Sequence, residues 1–523
     1  MKERLQPGLQ KGMGILITTY VTLLFVVYPL YYQNKYFNMG EAKYEFVKYV
    51  SLVFFGMMCA MFLFLLAIQR RRGCKALSPT DWCAVAYTVV LVLSYIHSPY
   101  KETILWGYDG WYMGIMSQLL FVLIYFFVSR YMKYHMAMGY GMLVTASMTH
   151  LFAILHRFSI DPLGMYEGVS ESYYILFLST VGQATWYSSY LCVVFPIGIA
   201  WYCLSPKPRE RIALGFYLVL GSASLVTQNS DSAFFSLAFV LLVVVLASIQ
   251  TKVQLLRLLE VLFLIGSAFV GIGILQILFP EQAVALDSLS IFCSQSMVTK
   301  VLLGSVIILY LVVRYVIVEG SGLQGDELCW NARKLRSIVL LSVVGIILLI
   351  GMFMWLVTTG QLPQQLAVLE DIGYLNFNHE WGSSRGFSWT VSAHIWKDYP
   401  ISYQLLGCGP DGFADYAYEH HYDEITQLWD DIILTNTHNE WFTSLLFTGI
   451  LGFISYAGMF ISQIVRGARY MVKEPIFMCG VVCVVSYMAH NFFCYQQIVC
   501  TPLIFIVLGA MEHGMRADCC TDI

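Results

Sequence analysis

The chain alternates long apolar runs with short polar connectors from one end to the other. Apolar segments of about 17 or more residues are long enough to cross a bilayer as helices. The pattern predicts fourteen of them, roughly 13–32, 47–68, 81–96, 115–131, 138–156, 186–204, 212–227, 232–249, 259–279, 297–318, 337–358, 441–465, 474–490 and 498–511. No small-residue cleavage site follows the first run, so it reads as a retained helix and not a signal peptide. The fold class that follows is an all-α polytopic membrane protein with about fourteen transmembrane helices.

The polar positions give this array a direction. With the N-terminus inside, 22 of the 30 Lys and Arg residues fall in the inner segments, among them Arg70, Arg130, Lys207, Arg257, Arg336, Arg466 and Arg516. The other eight, including Arg157 and Arg385, fall outside. Basic inner loops set membrane orientation, so a multi-pass protein of the cytoplasmic membrane with both termini cytoplasmic is expected. Composition agrees: 58% of residues are hydrophobic and 12% charged, against about 25% charged in a soluble domain. Half of the 14 cysteines lie within spans and act as small apolar residues. Cys293, Cys408 and Cys494 fall at the outer face, where a disulfide among them is left open, and Cys519 and Cys520 read as a reduced cytoplasmic pair.

One connector breaks the rhythm. Residues 359–440 form an outer loop of about 82 residues, too long for a passive link. The chain therefore divides into helices 1–11 (residues 1–358), an extracytoplasmic loop where function is expected to sit, the candidate catalytic unit (359–440), and helices 12–14 with a tail (441–523). The loop carries twelve acidic residues against Arg385 and Lys397, so this face recruits neither nucleic acid nor an anionic surface. Arg385 sits between Gly382 and Gly386 in "GSSRGFSWTVSAHIW", where the backbone is free to approach a ligand. It either pairs with one of the twelve acids or grips an anion through its guanidinium fork. Phe387, Trp389, Val391 and Ile395 then predict a short amphipathic helix lying on the membrane surface.

Two further motifs are set aside. "LLGCGPDGF" fits G-x-G-x-x-G at Gly407, Gly409 and Gly412, yet Pro410 and the missing βαβ context argue for a tight turn that packs the loop down. His420, His421 and Asp423 have no second spaced pair and read as structural or solvated, so no metal site is expected. The loop ends at "NTHNEWF", where Thr437 or Asn439 is placed to cap the next helix and His438 stands at its mouth. A neutral imidazole there is a proton acceptor near neutral pH. Alone it is as readily a surface histidine beside a cap. Beside Arg385 it completes a pair, one residue for an anion and one for a proton.

The order "SSRGFSW", "PISYQLLGCGPDGF", "HNEWFTSLLFTGILGF" resembles the O-antigen ligase/polymerase superfamily of Wzy-C type, through Arg385, Trp389, Pro400, Gly407, Gly409, Phe413, His438, Asn439, Gly449 and Gly452. The likeness is strong over about 380–453 and weaker at 179–196. It implies a GT-C-like scaffold with a mostly helical outer loop, a polyprenyl-pyrophosphate-linked glycan as donor, and a glycan, lipid or protein as acceptor. Within it Arg385 and His438 would be catalytic, with Trp389, Asn439, Gly407 and Gly409 as binding residues. One position departs: "TQNSDSAFFSL" has Asp231 where the family usually carries a second arginine, and Arg157, by location, is the substitute.

The transfer this implies is inverting. Pyrophosphate leaves readily, so the step needs charge stabilisation and no general acid, and with no carboxylate cluster of metal spacing beside Arg385 and His438 no metal and no cofactor are expected. Trp381, Trp389, Trp396, Trp429 and Trp441 would suit sugar stacking, although such residues also belt the interface. The rival expectations are a lipid-linked oligosaccharide flippase or exporter, which would show charged spans and two similar halves, and a glycan-binding membrane protein without catalysis.

Overall fold

The computed structural model describes residues 2–68, 76–315, 331–370, 372–427, 433–471 and 474–518. The basic run Arg70–Lys75, Trp429 and the Cys519–Cys520 pair lie outside the described residues. Over the described residues each of the fourteen predicted spans coincides with a helix. Eleven helices are long and apolar enough to cross a membrane; Ile115–Tyr131 and Pro475–His490 are shorter apolar helices, and Thr501–Asp518 completes the set. The described part is otherwise almost free of strand: a two-residue hairpin pairs Phe177–Leu178 with Gly182–Gln183. The chain is an all-α polytopic membrane protein.

Side-chain chemistry at the helix ends explains several boundaries. Ser78 and Asp81 form a capping box at Pro79–His97, and Thr251, Asp287, Ser296 and Asn331 cap the helices that follow them. Ala184–Leu204 lies at the centre, buried along most of its length, with Pro475–His490 packed against it. Asp231–Ser248 packs against both of these helices, Glu440–Gly467 packs on Pro79–His97, and Thr501–Asp518 packs on Ile115–Tyr131. By contrast Met297–Val312 buries no residue and Ala332–Thr358 buries only Val357. Such all-round apolar exposure fits helices whose neighbour is lipid.

Basic residues expected inside gather around two buried acids. Asp81 pairs with Arg130 at 2.9 Å and with Arg516, and Glu512 pairs with Arg466 at 2.6 Å and with Arg516 at 3.1 Å. These pairs tie the ends of four packed helices.

The long loop 359–440 is mostly helical, as expected: Trp381–Asp398, Ile401–Leu406, Phe413–His420 and Tyr422–Thr426. It has its own apolar core of Phe387, Val391, Ile395, Tyr399, Phe413 and Tyr416. This corrects the membrane-surface helix. The apolar stripe of Trp381–Asp398 faces inward to this core, because a loop with enough aromatic residues to bury has a better partner than the interface. Cys293, Cys408 and Cys494 are free thiols, the latter two buried at separate places.

Candidate functional site

The helix Glu440–Gly467 breaks near its start. Gly449 takes φ +66°, ψ −174°, outside helical geometry and open only to glycine at no steric cost. A break frees carbonyls, and here two of them are met by the loop: Cys408 N donates to Leu446 O (3.3 Å) and Gly409 N to Phe447 O (2.9 Å). The contact is backbone on backbone. A Cβ at Gly407 would lie 2.1 Å from Phe447 O, and one at Gly449 would lie 2.2 Å from the Leu405 carbonyl carbon. Gly407 and Gly409 also need positive φ, +73° and +106°. The glycines of "LLGCGPDGF" thus dock the loop onto the bent helix, and a helix, Ile401–Leu406, precedes them where a nucleotide motif would require a strand. Asp411 extends the docking by accepting from Tyr108 N (3.0 Å) and Met113 N (2.7 Å). Burial raises its carboxyl to about 7.

At the mouth of the bent helix Asn439 is the N-cap, its Oδ1 accepting from Phe442 N at 3.0 Å. Thr437 supports the turn from within, bonded to Asn439 O and to the Thr443 hydroxyl. His438 lies between them in the left-handed region (φ +50°), held by its own N–H on Asn436 Oδ1 at 2.9 Å. A non-glycine residue in this region carries a strain of roughly 1–3 kcal/mol. The turn aims the imidazole at the edge of Tyr495, with ring centres 5.1 Å apart. Burial lowers the His438 pKa to about 4, and the positive charge of Arg385 adds to the effect.

Arg385 approaches from the opposite side. Gly382, Ser383 and Ser384 all adopt positive φ, so the regular part of Trp381–Asp398 starts at Arg385. Gly386 is required here for a reason other than ligand approach: a Cβ would meet Asn378 O at 1.9 Å. The guanidinium donates from Nε to Phe493 O (3.1 Å) and from one terminal nitrogen to Gly382 O (2.5 Å). Among the described residues no carboxylate lies within ion-pair distance of it, so the pairing with a loop acid does not occur there. Burial lowers its pKa, while Cys494, Asp231 and Tyr495 act the other way. One turn on, Trp389 Nε1 donates to Thr437 O at 2.8 Å, and its ring lies parallel to Phe493 with centres 6.3 Å apart. Trp389 therefore fastens the Arg385 helix to the His438 turn.

The third participant was not foreseen. Residues 490–497, "HNFFCYQQ", connect two spans and supply Phe493 O to Arg385 and Tyr495 to His438. The available signal was a second His-Asn pair, His490–Asn491, with Gln496 and Gln497 close behind, between two apolar runs. Tyr495 also bonds Gln183 Oε1 at 3.4 Å, which brings the 179–196 segment to the same place.

Arg157 is placed elsewhere. It is 0% exposed, and all three guanidinium nitrogens donate to backbone carbonyls: Nε to Thr227 (2.7 Å) and the terminal pair to Tyr174 (2.6 Å) and Ile175 (2.8 Å). The phosphate contact expected of it gives way to a structural one. Asp231 is exposed and accepts from the Tyr374 hydroxyl at 2.9 Å, and Tyr374 O in turn accepts from Trp381 Nε1 at 3.0 Å. The position of the absent second arginine is thus tied to the strand of loop that leads into Arg385. The two adjacent histidines diverge as expected: His420 bonds Tyr416 O, while His421 faces Asp398 and Glu424. Among the described residues no cluster of three His, Cys, Asp or Glu is arranged to hold a metal ion.

An apolar helical array carrying one folded loop, with an arginine and a histidine brought to one connector, defines the class as a polytopic membrane protein. The Wzy-C family profile, O-antigen ligase, matches residues 282–457, which span the whole loop and both residues. Over that third of the chain it is similar to the O-antigen ligase superfamily. Among curated proteins none matches it.

Proposed function

We propose that the chain transfers a polyprenyl-pyrophosphate-linked glycan to an acceptor hydroxyl at the outer face of the cytoplasmic membrane, with both termini cytoplasmic and residues 359–440 as the catalytic unit. The observation that carries this reading is an arginine with no carboxylate partner among the described residues, locked by Trp389 to a turn that presents a neutral histidine. In the reaction the acceptor oxygen forms a bond to the anomeric carbon from the face opposite the leaving group. The bond from that carbon to the phosphate oxygen breaks, and its electron pair leaves with the polyprenyl pyrophosphate. Arg385 offsets the growing negative charge. An imidazole nitrogen of His438 takes the acceptor's proton. The anomeric configuration inverts, and membrane lipids surround the donor's tail. Trp389 and Asn439 hold the two loops in place; Gly407 and Gly409 dock them. Arg157 is left out of this reading because its donors are engaged.

The test is transfer by purified protein from a synthetic polyprenyl-pyrophosphate glycan. His438→Gln retains polarity but not a useful base, and turnover falls by at least about a hundredfold. Retention of a tenth of the wild-type rate removes His438 as the base. The pH profile gives a second readout. With the histidine pKa lowered to about 4, the base form persists through the neutral range and is lost only as pH falls through that value. The acid limb of kcat/KM therefore lies near 4, below the usual 6.5 of histidine. That of kcat lies higher, because bound pyrophosphate offsets Arg385.

A further inference from the structure

Neither His438 nor Arg385 is held by its own element alone. Both depend on the connector after Pro475–His490, and that connector is fixed from below by Glu440. The Glu440 carboxylate is 2% exposed and accepts from Tyr456 OH (2.6 Å), from Tyr487 OH (2.9 Å to Oε2) and from Asn491 Nδ2. Among the described residues no cation lies within ion-pair distance of it. Its backbone N–H also donates to Asn491 O at 2.9 Å. Residues 440 and 491 are therefore joined twice, side chain to side chain and main chain to main chain. Asn491 is itself 0% exposed, and its Oδ1 meets His490 Nδ1 at 2.7 Å. His490 Nε2 reaches the hydroxyls of Ser188 (2.9 Å) and Ser232 (3.1 Å), next to Asp231.

This arrangement links the two reacting loops by short covalent distances. His438 is two residues before Glu440. Phe493, whose carbonyl holds Arg385, is two residues after Asn491, and Tyr495, against His438, is four after. A shift of 440 against 491 moves both at once. A buried carboxylate also makes a weak stability device unless every partner is in place, so its presence is better explained by the register it enforces.

We propose that Glu440 and Asn491 form a buried clamp that sets His438 and Arg385 in register, making Glu440 a positioning residue of the transfer site. The proposal rests on the transfer reading above. A misplacement of about 1 Å in such a pair costs about a hundredfold in rate.

The partners' donor and acceptor roles make the test specific. Asn491→Asp sets a second carboxylate against Glu440, so kcat falls about a hundredfold. Adding Glu440→Gln to that variant restores the complement, because the glutamine amide donates to the new aspartate while its carbonyl still accepts from the tyrosines. The double variant therefore recovers at least a tenth of the wild-type rate. Glu440→Gln alone loses less, since Asn491 is able to turn its amide over. Hydrogen exchange at 436–440 and 491–495, which needs no substrate, rises in Asn491→Asp and returns in the double variant. If the double variant stays as slow and as exchangeable as Asn491→Asp, the clamp is wrong. If the clamp is wrong while His438→Gln is still dead, the transfer reading survives it. If no protein in the series transfers but exchange follows the pattern, the 440–491 register is real, and the transfer reading fails together with the positioning role of Glu440.

Discussion

Arg157 and Arg385 are the two arginines that the charge pattern places on the outer side, and the sequence offers both as anion ligands. The structure treats them differently. Arg157 is enclosed, with three nitrogens on three carbonyls that hold 174–175 and 227 together. Arg385 uses two nitrogens, both on backbone carbonyls, and among the described residues its second terminal nitrogen meets no hydrogen-bond partner. A guanidinium is always charged, so charge alone does not make a binding residue. What its fork has left after the fold is satisfied decides the role.

The comparison is sharpest at Arg385. Arg385→Ala lowers transfer by about a hundred to a thousandfold, the usual loss when one preorganised donor facing a developing charge is removed. Donor affinity falls with it, measured by binding of labelled donor, and the melting temperature barely moves. Arg385→Lys keeps part of both, since an ammonium still grips phosphate as a point charge. Arg157→Ala has the inverse signature: stability drops by on the order of 3 kcal/mol as buried carbonyls lose their donors, and what stays folded keeps wild-type donor affinity. Arg157→Lys is nearly as damaging, because one ammonium does not span three carbonyls. Loss of donor binding in a well-folded Arg157 variant would collapse the distinction. The smallest effect is at Asp231, whose negative charge opposes an anion beside Arg385. Asp231→Asn tightens donor binding by less than about fivefold, in keeping with the weak coupling of exposed charges.

The spans were legible because bilayer thickness imposes length and apolarity on each segment independently, and no long-range information is needed to see them. The same holds for Asn439 as a cap and for the diverging His420 and His421, which are local matters. The apolar stripe of Phe387, Val391 and Ile395 was legible too, but not which surface it would cover, since periodicity does not name a partner. The connector 490–497 was missed for a related reason. Its roles come from pairings such as 440 with 491 and 385 with 493, and a hydrogen bond across that separation leaves no local trace. Arg157 was misjudged because position along the chain reports which side a residue faces and not how deeply it is enclosed.

The break at Gly449 has a consequence for how the protein is made. Before the loop docks, the carbonyls of Leu446 and Phe447 face apolar surroundings without donors, at a cost of several kcal/mol for each bare group. The residues that supply those donors, Cys408 and Gly409, precede the helix in the chain and leave the ribosome first. Synthesis therefore delivers the acceptor's partner ahead of the acceptor. The bent helix enters the bilayer against a loop already present to receive it, and the reverse order, as in a circular permutation that moved the loop behind the helix, would ask a broken helix to wait in lipid.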